Sequence, residues 1–83
     1  MGILSNTFNN NLSIYPNPFN DYLTIDVVEN SNLIIYNLEG YEVFRYNLAE
    51  KINTFYLGNL SSGIYLINLK SDKGNTYHKL IKE

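Results

Sequence analysis

From Leu12 onward the chain either alternates apolar and polar residues with period two or runs continuously apolar, and it breaks at short intervals. Leu12 and Ile14 alternate with Ser13 and Tyr15 until Pro16-Asn17-Pro18 stops that strand. Each proline removes an amide donor, fixes its own φ and drives the preceding residue extended, so this segment cannot continue a central ladder. Asn20-Asp21 turns the chain, after which Leu23, Ile25 and Val27 alternate with Tyr22, Thr24 and Asp26. Beyond Glu29-Asn30-Ser31-Asn32, the run Leu33–Leu38 is apolar on both faces apart from Asn37, the pattern of a strand covered on both sides. Glu39-Gly40 separates it from a strand over Glu42–Leu48. Glu is a poor first residue for a type I′ turn, so the pattern predicts a type I turn with Gly40 in the left-handed position. A polar loop at Asn47–Lys51 leads to a strand over Ile52–Leu57. Leu60-Ser61-Ser62-Gly63 precedes the most strongly β-forming stretch, Ile64–Ser71. Asp72-Lys73-Gly74-Asn75 makes a hairpin turn, and Thr76–Lys82 is the closing strand.

Seven short strands with a turn roughly every ten residues, and no sustained helical period, predict a seven-stranded antiparallel immunoglobulin-like β-sandwich. Gly63-Ile64-Tyr65-Leu66-Ile67 matches the tyrosine corner of such sandwiches, with Tyr65 two residues before an inward position at Ile67. Alternation assigns Leu23, Ile25, Tyr65, Ile67 and Leu69 to the core between the sheets. Residues 1–11, ending in Asn9-Asn10-Asn11, read as linker, and 12–83 as one domain. The start of the chain lacks the basic lead and long apolar region of a secretory signal, so an export signal is expected on a longer parent chain.

Composition narrows the function classes. Eighty-three residues, 45% of them hydrophobic and 17% charged, make one small folded domain. Eight Tyr, four Phe and nine Ile against one Ala favour strands over helices. The absence of cysteine excludes disulfides, cysteine-based zinc sites and thiol nucleophiles. A formal charge of −2 leaves no basic excess for a phosphate backbone, which argues against nucleic acid as a partner. No apolar run approaches the ~20 residues that span a bilayer, so no membrane insertion is expected. His78, the one histidine, reads as an exposed residue of the last strand rather than a general base. Ser61 and Ser62 read as turn formers, and the acids stand singly in turns or on outward positions. No catalytic constellation, metal site or cofactor is expected. Tyr15, Tyr22, Tyr36, Tyr41, Tyr46, Tyr56 and Tyr77 support an alternative, a carbohydrate-binding or adhesion module of a secreted protein. The chain has no Trp, however, and cross-strand tyrosine pairs stabilise sheets without any ligand.

The order of motifs carries the reading further. Leu12-Ser13-Ile14-Tyr15-Pro16-Asn17-Pro18-Phe19 is followed by Leu23-Thr24-Ile25 and by Ile35-Tyr36-Asn37-Leu38-Glu39-Gly40-Tyr41-Glu42-Val43. Leu60-Ser61-Ser62-Gly63-Ile64-Tyr65 and the lysine-bearing end Lys79-Leu80-Ile81-Lys82 complete the set. Together they resemble the type A C-terminal sorting domain of the type IX (Por) secretion system of Bacteroidota, from Leu12 to Glu83. One departure is Tyr41, which stands where that family usually has Arg or Lys. The resemblance implies a domain that ends a secreted cargo protein. It also implies transit through the periplasm, recognition by the outer-membrane type IX translocation proteins, and removal by a sortase-like peptidase, with the cargo delivered to the cell surface or medium. It assigns recognition motifs to Pro16, Asn17, Pro18, Gly40, Val43, Gly63, Tyr65, Lys79 and Lys82. Beside that assignment, the prolines serve to end the first strand, the glycines to set backbone geometry, and Val43 and Tyr65 to fill the core. Lys82, expected to be exposed at the chain end with nothing to pack against, is the residue expected to make direct contact.

Overall fold

The computed structural model describes residues 7–9 by their backbone, and 12–49, 51–72 and 74–83 in full. Its elements are β1 (Thr7–Asn9), β2 (Leu12–Tyr15), β3 (Tyr22–Val27), β4 (Ser31–Tyr36), β5 (Glu42–Leu48), β6 (Lys51–Tyr56), β7 (Gly63–Ser71) and β8 (Gly74–Lys82). They form two antiparallel sheets, ordered β1-β2-β3-β6 and β5-β4-β7-β8. This is an all-β sandwich, consistent with an immunoglobulin-like arrangement. The seven strands expected from Leu12 onward are all present, and the short β1 precedes them within the stretch read as linker, pairing Thr7 with Ile14 and Asn9 with Leu12.

The inward positions follow the period-two pattern. Leu23 and Ile25 of β3 are fully buried, as are Leu33 and Ile35 of β4 and Ile67 of β7, with Tyr65 and Leu69 beside them. Paired residues share a face of a sheet, so the pairing Ile35↔Ile67 stacks two strands' core residues at one level. Burying each such side chain stabilises the fold by about 1.5–3 kcal/mol.

A two-layer sandwich has two open seams, where the edge of one sheet meets the edge of the other. On one side β5 leads directly into β6, and the seam is filled by aromatic rings. Phe44 meets Phe55 edge-on at 5.4 Å between centroids, and Tyr46 meets Phe55 at 5.0 Å. On the other side β8 faces the β1–β2 edge, and there Phe19, wholly buried, closes the seam. Its position in the segment after β2 gives a parallel bridge to Lys82 of β8.

Three local expectations are corrected. The polar loop expected at Asn47–Lys51 is shorter, because β5 runs to the buried Leu48 and β6 begins at Lys51. Lys51 itself takes φ +93°, a left-handed position where the chain enters β6. The strand expected over Leu33–Leu38 is Ser31–Tyr36, and only its inner face is covered. Ile34 and Tyr36 lie half-buried on the outer face, since two layers leave each sheet one side in solvent. Leu38 is 70% exposed in the turn that follows.

Truncating the central inward residue, Ile67→Ala, is expected to cost about 2–5 kcal/mol, read as a lower denaturant midpoint at unchanged slope.

Candidate functional site

Pro16-Asn17-Pro18 ends β2 with cis bonds at Tyr15-Pro16 and Asn17-Pro18, leaving Asn17 between two residues that lack an amide donor. Its side chain turns to the free edge of β8. The Asn17 Nδ2 donates to the Lys79 carbonyl at 2.9 Å, and its Oδ1 accepts from the Ile81 amide at 2.9 Å. One side-chain amide thus stands in for a residue of a neighbouring strand. Phe19 continues the ladder with its backbone: its N–H donates to the Ile81 carbonyl at 2.9 Å, and its carbonyl accepts from the Glu83 amide at 2.8 Å. Four hydrogen bonds therefore clasp the last residues of β8 to the segment that leaves β2.

Lys82 lies inside this clasp. It pairs with Gly63, an inward register position, and is only 8% exposed. Its ammonium sits 5.8 Å from the centroid of the Phe19 ring and donates to the Glu83 carbonyl at 2.9 Å. The expectation of an exposed terminal lysine is corrected. The strand's alternation carries Lys82 to the same face as the buried Leu80, and its backbone bridges to Phe19.

The other motif residues gather at the same end. The turn between β4 and β5 is organised by Asn37, whose Oδ1 accepts from the amides of Glu39 at 3.0 Å and Tyr41 at 2.9 Å. Gly40 closes it at φ +92°, the left-handed position expected from sequence, where a Cβ would be strained. Val43 is half-buried against the core beyond this turn. Between β6 and β7, Gly63 takes φ +152° and Tyr65 dips into the core, its hydroxyl donating to the Ser61 carbonyl at 2.6 Å. That bond is the tyrosine corner. The loop after β6 is fastened to the segment before β3, since Leu57 N–H donates to the Asp21 carbonyl at 2.7 Å. Gly58 lies beneath the Tyr56 ring, where an added Cβ would come within 2.6 Å of the hydroxyl oxygen. Pro16, Pro18, Gly40, Gly63 and Lys79 are exposed, so the end presents backbone turns to solvent. Between the 37–43 turn and the 59–65 loop runs a shallow cavity of about 470 Å³, floored by Val43, Leu60 and Tyr65.

This convergence agrees with what the chain is similar to. The family model described as the secretion system C-terminal sorting domain matches residues 13–83. The chain belongs to this family. It is a type IX sorting domain, and export to the cell surface or medium, with interaction with the secretion machinery, follows from that membership. No curated protein matches the chain. Within the sorting domain, the quoted motifs brought Pro16, Asn17, Pro18, Gly40, Val43, Gly63, Tyr65, Lys79 and Lys82 to notice. Phe19 and Asn37 stand inside the quoted motif runs without being singled out, and Gly58 lies outside them; adjacency to the second proline singles out Phe19 once the clasp is known.

Chemistry beyond recognition is sparse. Among the described residues no three His, Asp or Glu side chains cluster to hold a metal. A second cavity, about 500 Å³, lies at the opposite end between Asn32, Asn47 and Lys70, where the Ser71 hydroxyl donates to the Glu29 carboxylate at 2.8 Å. The exposed tyrosines point to separate regions: Tyr22 and Tyr56 pair edge-on at 5.4 Å on one outer face, while Tyr77 lies on the other sheet and Tyr41 in a turn. These four do not all lie on one face. Arg45 holds the Glu42 carboxyl below its usual range, first through hydrogen bonds of 2.8 and 2.9 Å.

His78 departs from expectation. It pairs with Ile67 on the inner face, half-buried, with a buried Nε2 that has no hydrogen-bond partner. Burial lowers its pKa below 6.5 because the charged imidazolium is poorly solvated there. The unfolded chain therefore binds more protons than the folded one just below 6.5, and stability rises with pH through that window.

Two outcomes follow for this end. Asn17→Ala removes both side-chain bonds of the clasp and is expected to cost about 1–3 kcal/mol, with faster hydrogen exchange at the Ile81 amide. The His78 imidazole is expected to titrate below 6.5 by NMR. The denaturant midpoint falls as pH drops through about 6.5, a step that His78→Phe abolishes.

Proposed function

We propose that this sorting domain is the C-terminal address of a cargo protein that precedes it. After periplasmic transit the folded domain is recognised by the outer-membrane type IX translocation proteins and is then removed by a sortase-like peptidase in the linker upstream. The observation that carries this reading is the family match over residues 13–83 combined with the gathering of the quoted motifs at one end of the sandwich. A rigid sandwich with short turns suits an address, because recognition needs a fixed surface and no moving catalytic parts. Pro16, Asn17, Pro18 and Lys82 contribute by building and locking this end, Gly40, Gly63, Val43 and Tyr65 by shaping its turns, and Lys79 by presenting a cation beside the clasp.

The test is export of a passenger carrying a periplasmic signal, with residues 1–83 fused at its C-terminus, in a host with type IX machinery. The wild-type fusion is expected at the cell surface or in the medium, and retention in the periplasm contradicts the reading. Lys82→Met keeps an apolar stem on Phe19 and is expected to preserve export, while Lys82→Ala loosens the clasp and reduces it. Loss of export in a folded Lys82→Met fusion would instead make the ammonium itself the contact.

A further inference from the structure

The register fixes which side chains of the β5-β4-β7-β8 sheet look outward, since neighbours across a ladder share a face. With Tyr65, Ile67 and Leu69 inward, Ile64, Leu66 and Lys70 of β7 face solvent. Beside them stand Tyr36 of β4, paired with Leu66, and Ile81 of β8, paired with Ile64. Leu66 and Ile64 are 40% and 41% exposed, and Tyr77 one row on is 61% exposed, while Ile34 completes the row between Arg45 and Asn68. The result is an apolar area continuous over three strands, a feature that marks interaction surfaces when rimmed by polar groups.

The rim is positively charged. Arg45 lies opposite Ile34, Lys70 opposite Asn32, and Lys79 opposite Leu66. The only carboxylate at an outward strand position of this sheet, among the described residues, is Glu42, and it is tied to Arg45 at 2.8 Å. This concentration of cations stands on a chain whose net charge is −2. On the other sheet, the outward rows Ser13–Asp26–Ile52 and Tyr15–Thr24–Thr54 carry one carboxylate and no cation. The two faces of the sandwich are electrostatically unlike.

We propose that the outer face of the β5-β4-β7-β8 sheet is the docking surface for a protein of the secretion machinery whose own contact surface sets carboxylates around an apolar centre. The inference rests on the sorting reading above and adds where, and with what chemistry, the domain is held. The apolar centre supplies affinity, and the cations supply orientation and rate of encounter. The Asn17 clasp belongs to the same design. It binds the Lys79 carbonyl and the Ile81 amide, the backbone that carries two of the outward side chains, so the motif positions residues of this face without occupying it.

The test uses the passenger fusion with the full chain. Three variants are compared with wild type: Leu66→Glu, the double charge reversal Lys70→Glu with Lys79→Glu, and Ile52→Glu on the opposite sheet as an exposed apolar-to-acid control. Circular dichroism melts identify the folded variants. Wild type and Ile52→Glu are expected to reach the surface alike, while Leu66→Glu and the double reversal each lose about tenfold or more of export. Should Leu66→Glu unfold, the double reversal, confined to exposed charges, decides alone. Export of wild type and of both folded face variants at equal levels overturns the docking inference and leaves the sorting reading intact, whereas failure of the wild-type fusion overturns both. Two further measurements name other occupants. A wild-type dimer in sedimentation that Leu66→Glu dissociates assigns the face to a second copy. Co-sedimentation with phosphatidylglycerol vesicles that is lost in the double reversal assigns it to an anionic lipid surface. Either result overturns the proposal.

Discussion

The amide of Asn17 holds the sandwich closed along the seam that local sequence cannot close. At the opposite seam β5 and β6 are consecutive, so the aromatic rings of Phe44, Tyr46 and Phe55 come together through a short connection. Between β2 and β8 no such connection exists, and among the described residues the side chain of Asn17 and the backbone and ring of Phe19 join the two sheets there. The prolines on either side of Asn17 suit this arrangement. A segment without its own ladder donors is free of its parent sheet and can be laid across to the other one. It also covers the end of an edge strand that would otherwise offer unpaired backbone groups to any passing chain.

Turn chemistry and clasp together explain why one end of the molecule is so highly specified. Asn37 fastens its turn through two backbone amides, Tyr65 fastens the loop before β7 through a hydroxyl, and Asn17 fastens the chain end. Each is a side chain standing in for a backbone partner, which satisfies polar groups that irregular segments leave open. For a domain that acts as an address, the consequence is a surface whose shape is fixed by its own bonds. A partner that reads such a surface need not order it first, which removes an entropic cost from recognition.

Much of this was legible in the sequence, and the exceptions share one cause. Period-two alternation places Leu23, Ile25, Ile67 and Leu69 correctly because each lies on a strand paired on both sides, with one face held against the core. The turn at Gly40 and the corner at Tyr65 were legible because their partners are only a few residues away. The sequence suggests exposure for Lys82 and His78, and both face inward. They sit on β8, where polar and apolar residues do not alternate cleanly, and the side they face is set by pairing with β7 and by Phe19. A lysine and a histidine at the chain end carry no sign of a ring from residue 19. Asn17 was legible as part of a motif, but its hydrogen bonds reach residues whose identity is irrelevant, because they bind backbone. Such contacts leave no complementary residue to notice.

The clasp also sets an order in time. Its side-chain bonds join residues 62 and 64 positions apart, close to the greatest separations the chain offers. Closing so long a loop must await the residues at both ends, whereas the β4–β5 and β7–β8 hairpins can form from neighbouring segments. A chain emerging from its N-terminus outward therefore holds Phe19 without its β8 partners until residues 79–83 are free. The sandwich cannot be finished until residues 79–83 are free to fold, so formation of the clasp itself reports that the closing strand is in place.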